Sequence, residues 1–200
     1  MDVQIDRLDL FPVPLLGADY EHAESLSQTL VPMFQKIEME DTTPTTYGSN
    51  SYANYSSGVI EWVECNSLRN WIGQIALEAN KIIVLESDLS FVGSWFGIHR
   101  QHATLTQHSH IPCTWSGVYF VQAEEDDAPI TFHDVNKQSN WPFANDTDAN
   151  TYNTHSYSIT PKTGRLLIFP SHLQHSVEQQ LIQRERIAIN FNLSATQGQA

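Results

Sequence analysis

Residues 108–121 read HSHIPCTWSGVYFV and combine two histidines, a short loop and a strand rich in valine and aromatic residues. Side chains of an extended segment alternate between two sides, so His108 and His110 are expected to point to the same side. Two imidazoles on one side of a strand can share a metal ion. Because the chain contains 9 histidines, a His-x-His pair can also arise by chance. The rest of the sequence must therefore show whether this pair belongs to a metal site.

The composition describes one domain with a lopsided charge. Hydrophobic residues make up 40%, enough for a core, while 23 acidic and 10 basic residues give a net charge of −13. Such a surface repels phosphate backbones, so no nucleic-acid partner is expected. The two cysteines, Cys65 and Cys113, form no Cys-x-x-Cys motif, and neither a signal peptide nor an apolar run of about 18 residues is present. We therefore expect a cytoplasmic protein without a membrane segment, and the oligomeric state stays open.

The N-terminal part is predicted to be mainly helical. Residues 3–16 contain prolines and are interpreted as an edge strand or an extended arm. Helical periodicity follows in residues 19–36, where Pro32 is expected to kink the helix or end it early. The polar residues 40–58 predict a long loop, and residues 68–85 predict a second amphipathic helix.

After about residue 88 the helical periodicity gives way to short β-rich segments. Predicted strands cover residues 89–98, 116–122, 129–133, 157–159, 165–169 and 186–193, with a short piece near 173–177. Several short strands separated by turns indicate a sandwich or barrel. The predicted fold is therefore α+β, mainly β. In it an N-terminal arm and helices (1–88) pack on a jelly-roll core, a double-stranded β-helix (89–200), within a single domain.

Two later segments carry polar residues that fit a cavity. Residues 159–177 are interpreted as a turn, a buried strand and a loop with a third histidine, His175. Residues 184–193, RERIAINFNL, alternate so that Arg186 and Asn190 share one face and the large apolar residues share the other. An arginine on such a polar face indicates a cavity that binds an anion. The alternative is that Arg186 lies at the strand entrance and points to water. His99 fits either the cavity mouth or the surface.

In this order the motifs resemble those of the Fe(II)/2-oxoglutarate-dependent oxygenases. More narrowly, the chain resembles a 2OG-Fe(II) oxygenase family with the patterns His-x-His-Pro, Ser-Gly-Val-Tyr-Tyr, Phe-Pro-Ser-x-Leu-x-His-x-Val and Arg-Ile-x-Ile-x-Phe-Asn. The corresponding segments here are HSHI (108–111), SGVYF (116–120), FPSHLQHSV (169–177) and RIAINFN (186–192). Two departures are Ile111, which stands where proline is usual, and residues 136–153, which follow no family pattern.

The resemblance implies a 2-oxoglutarate/Fe(II)-dependent dioxygenase that uses O2, hydroxylates a small-molecule or peptide substrate and releases succinate and CO2. Carried over by position, His108 and His175 are iron ligands, and Arg186 binds the far carboxylate of 2-oxoglutarate. Tyr119 and Asn190 are candidate cofactor-binding residues in the cavity.

The position of His110 leaves two metal sites open. Most of the superfamily has a carboxylate there, and two histidines with one carboxylate suit Fe(II). If His110 binds directly, the site has three histidines and also suits Zn, Cu or Ni. If it does not, a carboxylate such as Asp134 completes the triad.

Two other functions fit the same residues. One is a cupin-type metalloenzyme with a three-histidine centre and no 2-oxoglutarate, which has no need of an anion-binding arginine. The other is a non-enzymatic jelly-roll binding module, which would bind no stoichiometric metal.

Overall fold

The computed structural model describes residues 11–42, 50–134 and 154–196. The helices are α1 (Ala23–Glu40) and α2 (Asn66–Ile82), with short 3-10 turns at Val59–Glu61 and Val63–Cys65. The strands are β1 (Leu16–Asp19), β2 (Ser51–Asn54), β3 (Leu89–His99), β4 (Leu105–His108), β5 (Trp115–Gln122), β6 (Ile130–His133), β7 (Ser156–Ile159), β8 (Arg165–Pro170), β9 (His175–Val177) and β10 (Arg186–Ala195). The interpretation of residues 136–153 falls outside the described ranges. No helix within these ranges is long and apolar enough to span a membrane.

The strands form two antiparallel sheets. One has six strands in the order β1-β8-β5-β10-β3-β2, and the other has four in the order β4-β9-β6-β7. Apolar side chains from both sheets, including Phe120, Phe132 and Phe169, make a shared core between them. A second core lies between the larger sheet and the two helices. The predicted mainly β jelly roll with preceding helices is confirmed.

Strand β10 separates these two cores, as its alternation predicts. Ile187, Ile189 and Phe191 are fully buried on the helix side. Arg186 and Asn190 lie on the opposite side and line a cavity between the sheets. One face of β10 therefore packs in the core beneath the helices, and the other face lines the cavity between the sheets.

The N-terminal part differs from its prediction in three places. Helix α1 continues through Pro32 to Glu40, because Leu30 and Phe34 on either side of the proline are fully buried and anchor both turns. Within the predicted loop 40–58, residues 51–54 form β2, which pairs with β3. Most of the predicted arm, residues 3–10, lies outside the described ranges; the strand found near its end is β1, which begins at Leu16 and forms the other edge of the same sheet.

Gly117 of β5 allows a close contact at the centre of the larger sheet. It lies opposite Phe191 of β10, and a Cβ atom there would be 2.2 Å from Phe191 Cζ. Since Phe191 is fully buried, its ring cannot move without disturbing the core. We expect Gly117→Ala to lower the free energy of unfolding by about 1–3 kcal/mol, measured by urea denaturation. The control is Gly93→Ala in β3, where a Cβ would meet nothing within 4 Å. Equal stabilities of the two variants would contradict this packing.

Candidate metal centre

Two neighbouring strands of the smaller sheet, β4 and β9, and the loop after β4 bring three histidines together. His108 ends β4 and His175 begins β9, and the two are directly opposite each other in the antiparallel pair. His110 follows in the next loop. One ring nitrogen from each of the three lies within 4.8 Å of the others. Ligand nitrogens about 2.1 Å from one ion are at most about 4.2 Å apart, so small ring rotations suffice to bind a single metal.

Backbone carbonyls orient two of these rings. The Nδ1 atom of His108 lies 2.8 Å from the carbonyl oxygen of Thr106, and that of His175 lies 3.0 Å from the carbonyl oxygen of Leu173. Since a carbonyl only accepts, each Nδ1–H is the donor. In the neutral form of each ring, Nε2 then carries no proton and is left for a metal, the arrangement typical of metal-binding histidines.

Burial keeps the rings of His110 and His175 neutral. Desolvation is the main cause that lowers the pKa of His175 to about 3 and that of His110 to about 4, and the neighbouring His108 lowers both further. Neutral imidazole is the form that binds a metal. At neutral pH the metal therefore does not have to displace protons from these two rings.

The loop that carries His110 is fixed by the segment that precedes His175. The backbone N–H of His110 donates to the carbonyl oxygen of Ser171 at 2.8 Å. Ser171 is fully buried, and its hydroxyl lies 2.7 Å from that of Ser116. The His110 ring stacks on Trp95, with centroids 5.6 Å apart and an interplanar angle of 19°. Sequence reasoning did not assign these three supporting residues a role, although Ser171 and Ser116 belong to the quoted motifs.

A cavity of about 60 Å³ lies beside the histidines. Both sheets contribute to its walls. The lining residues include Tyr55, Trp95, Gly97, His99, Leu105, Val118, Ile130, Phe169, Val177, Arg186, Ala188 and Asn190. The cavity is thus mostly apolar, with a few polar groups, as is typical of small-molecule sites.

Arg186 is a buried cation that makes no ion-pair contact within the described residues, although the charge of Asp127 acts on it from a distance. Its exposure is 3%, its Nε has no hydrogen-bond partner, and no carboxylate in the described ranges forms an ion pair with it. Desolvation lowers its pKa to about 10, which leaves it charged at neutral pH. Its guanidinium lies 4.9 Å from the ring centre of Phe120, a cation–π contact that offsets only part of the burial cost. The alternative that Arg186 points to water is wrong, and the group is suited to an anion that enters the cavity.

Tyr119 lies on the wrong side of its strand to reach the cavity. Alternate residues of β5 point to opposite faces, and Ser116 and Val118 face the cavity. Tyr119 is 1% exposed and packs at 6.1 Å from Tyr20 in the core beneath the helices. Its prediction as a cofactor-binding residue is therefore corrected, whereas Asn190 lines the cavity as expected.

Asp134 is not placed to complete a metal site. It follows β6, and its backbone N–H donates to the carbonyl oxygen of His155. The group of converging ligand atoms found in the described part of the chain consists of the three histidines and includes no carboxylate. The geometry thus favours the three-histidine arrangement over the carboxylate alternative.

The chain is similar to known proteins in sequence and in fold. Residues 93–192, half of the chain, match the family model described as "Putative 2OG-Fe(II) oxygenase". No curated protein matches. A prolyl-4-hydroxylase from Pseudomonas putida is 14% identical, with a TM-score of 0.62 over 90% of this chain and 92% of that one.

Two further structures show the same fold. HygX from Streptomyces hygroscopicus, with nickel and 2-oxoglutarate bound, is 9% identical, with a TM-score of 0.62 over 92% of this chain and 84% of that one. The viral collagen prolyl hydroxylase of Paramecium Bursaria Chlorella virus-1, in its 2-oxoglutarate complex, is 13% identical, with a TM-score of 0.61 over 92% and 96%. From the family match, this chain belongs to the 2OG-Fe(II) oxygenases, which require Fe(II), 2-oxoglutarate and O2.

Proposed function

We propose that His108, His110 and His175 bind the Fe(II) of this oxygenase and that Arg186 binds the far carboxylate of its 2-oxoglutarate. The observation that carries the proposal is the buried, unpaired guanidinium of Arg186 in the same cavity as three converging imidazoles. It also favours this function over a cupin-type centre, which needs no anion-binding arginine.

The three imidazoles would supply three of the ligands of an Fe(II) ion, and the cosubstrate would supply further ones. When bound, Fe(II) with 2-oxoglutarate and O2 supplies an oxidation in which one oxygen atom enters succinate and the other enters the substrate. Three neutral ligands leave the whole double positive charge on the metal. Together with Arg186, this charge favours a dianionic cosubstrate over a neutral one.

The side chains around Arg186 hold the cosubstrate and exclude water. A guanidinium can bind a carboxylate through two parallel hydrogen bonds, which fixes both position and orientation. Asn190, on the same face of β10, provides an amide donor. Val118, Ala188 and Phe169 form apolar walls, and such walls strengthen the charge-assisted contact because they remove competing water.

An aromatic wall beside His110 faces the substrate. Trp95 stacks on His110, and the partly exposed ring of Tyr55 lies 5.7 Å from Trp95. Apolar and ring-containing groups pack well against such rings. We infer a small-molecule or peptide substrate whose C–H bond is presented along this wall. Similar structures include a prolyl-4-hydroxylase and a HygX complex with hygromycin B.

The function is tested by the fate of 2-oxoglutarate. Protein loaded with one Fe(II) is mixed with 2-oxoglutarate in air-saturated buffer, with and without peptide and small-molecule candidates, and succinate is quantified. We expect slow succinate formation that requires iron and O2, is accelerated by the true substrate and is lost in His175→Ala. Iron-loaded protein that forms no succinate under any of these conditions would contradict the proposal.

The role of His110 is tested by two substitutions. His110→Ala removes a metal ligand and should weaken Fe(II) affinity by more than the roughly 10- to 100-fold that supporting residues contribute. His110→Asp supplies a carboxylate instead, so it should retain Fe(II) and lose preference for Cu(II) and Zn(II). Affinities are measured by competition with a chelator. If both variants bind iron as the wild type does, His110 is not a ligand.

A further inference from the structure

His99 is a second polar side chain beside Arg186 that the proposed function does not use. It ends β3 and is directly opposite Arg186 in the antiparallel pair of β3 and β10. Residues directly opposite each other in such a pair point to the same face. Both side chains line the cavity.

The two nitrogens of the His99 ring have different surroundings. Nδ1 is inaccessible to solvent and has no hydrogen-bond partner. Nε2 projects over Gly97, 3.8 Å from where a Cβ atom of that residue would be, and Gly97 is part of the cavity wall. A buried acceptor without a partner costs less than a buried N–H without one. Nδ1 is therefore the unprotonated nitrogen, and Nε2–H is the donor that faces the cavity.

The charges of His99 and Arg186 also suit a bound carboxylate. Desolvation, and secondarily the positive charge of Arg186, lowers the pKa of His99 to about 3, so the ring is neutral at neutral pH. A neutral donor beside the guanidinium adds a hydrogen bond without adding repulsion. A carboxylate has two oxygens and about four acceptor positions, enough to accept from both side chains at once.

We propose that His99 donates its Nε2–H to the far carboxylate of 2-oxoglutarate and, with Arg186, makes the cavity selective for a dicarboxylic 2-oxo acid. This inference rests on the proposed function. His99 is a residue that positions the cosubstrate and is not a metal ligand, so its effect appears in binding and not in iron content.

The test compares two cosubstrates that differ at one end only. 2-Oxoglutarate and 2-oxopentanoate have the same chain length and the same metal-binding end, but only the former has a far carboxylate. Dissociation constants are measured by anaerobic calorimetry on the iron-loaded wild type and on three variants. His99→Gln keeps a donor near the Nε2 position, His99→Met has a similar length without a donor, and His99→Phe keeps a planar ring without a donor.

We expect His99→Met and His99→Phe to weaken 2-oxoglutarate binding by about 10- to 100-fold, the usual effect of losing one hydrogen bond to a charged group. His99→Gln should stay close to the wild type, and binding of 2-oxopentanoate should be unchanged in all three. If one donorless variant fails to fold or to bind iron, the other supplies the comparison.

Three outcomes would overturn the inference. Wild-type affinity for 2-oxoglutarate in both donorless variants would exclude a hydrogen bond from His99. Equal losses for both cosubstrates, or a loss in His99→Gln as large as in His99→Met, would show that His99 only shapes the cavity. If the iron-loaded wild type binds no 2-oxoglutarate, the proposed function itself fails. If the wild type binds it and the variants show one of the outcomes above, only the role of His99 fails.

Discussion

Replacing His175 with alanine is expected to abolish stoichiometric iron binding. His175 is 5% exposed, and its ring centre lies 4.3 Å from that of His108 and 5.2 Å from that of His110, so it contacts both other ligands. Without it, only His108 at the end of β4 and His110 in the next loop remain. Neither the neighbouring strand β9 nor any other described strand then supplies a third ligand. The measurements are metal content after anaerobic dialysis and the thermal midpoint with and without Fe(II).

Loss of binding should also appear as lost stabilisation. A ligand at 100 times its dissociation constant stabilises the folded state by about 2.7 kcal/mol, so the wild type should gain thermal stability with Fe(II) and His175→Ala should not. The control is His172→Ala, because His172 is exposed in the same loop and lies outside the ligand group. One iron per chain in His175→Ala, with the affinity of the wild type, would refute the proposed centre.

The second large effect is expected for Arg186→Met. Removing one partner of a buried charged pair costs about 2–5 kcal/mol, which corresponds to roughly 30- to several-thousand-fold weaker binding of 2-oxoglutarate. Iron content should not change, because Arg186 is not a ligand. The stability of the cosubstrate-free protein should not fall either, since the substitution removes a buried charge whose Nε has no hydrogen-bond partner and which makes no ion-pair contact within the described residues.

A neighbouring arginine gives the matched control for this prediction. Arg184 forms ion pairs with Asp126 and Asp127, and Asp127 is buried. Arg184→Met should therefore lower the free energy of unfolding, because it removes the cation beside Asp127, and should leave the affinity for 2-oxoglutarate unchanged. The proposed anion site would be wrong if Arg184→Met weakened 2-oxoglutarate binding and Arg186→Met did not.

The parts of the site that depend on local alternation were predictable. In β10, polar and apolar residues alternate, so the period of two assigns Arg186 and Asn190 to one face without knowledge of the partner strands. The same period predicted that His108 and His110 share a side, and the two do converge, although His110 lies in the loop after β4 and is held there by the Ser171 carbonyl. For His175, the structure supplies what the sequence lacks, namely that β9 lies opposite β4.

Tyr119 and His99 show where the sequence is insufficient. Nearly every residue of β5 is buried on both faces, so its own pattern does not reveal which face holds the cavity. The correct face for Tyr119 is set by the pairing of β5 with β10 and β8. The position of His99 beside Arg186 likewise arises from pairing between segments 87 residues apart in sequence, which no local pattern contains.

Strand β2 and the full length of α1 were also set by tertiary contacts. The segment SYAN has little strand propensity, but its backbone pairs with β3 and so extends the sheet by one edge strand, and such pairing depends strongly on context. In α1, buried Leu30 and Phe34 outweigh the cost of Pro32. As a result, the N-terminal part supplies helices and also both edge strands of the larger sheet.

The most direct test is to titrate 2-oxoglutarate into the anaerobic, Fe(II)-loaded protein and follow the visible charge-transfer band of the iron–2-oxoglutarate chelate. We expect a band that saturates at one equivalent in the wild type. It should need far more cosubstrate in Arg186→Met and be absent in His175→Ala. If the wild type binds Fe(II) but no band develops at any concentration of 2-oxoglutarate, the three histidines and Arg186 do not form the site proposed for them.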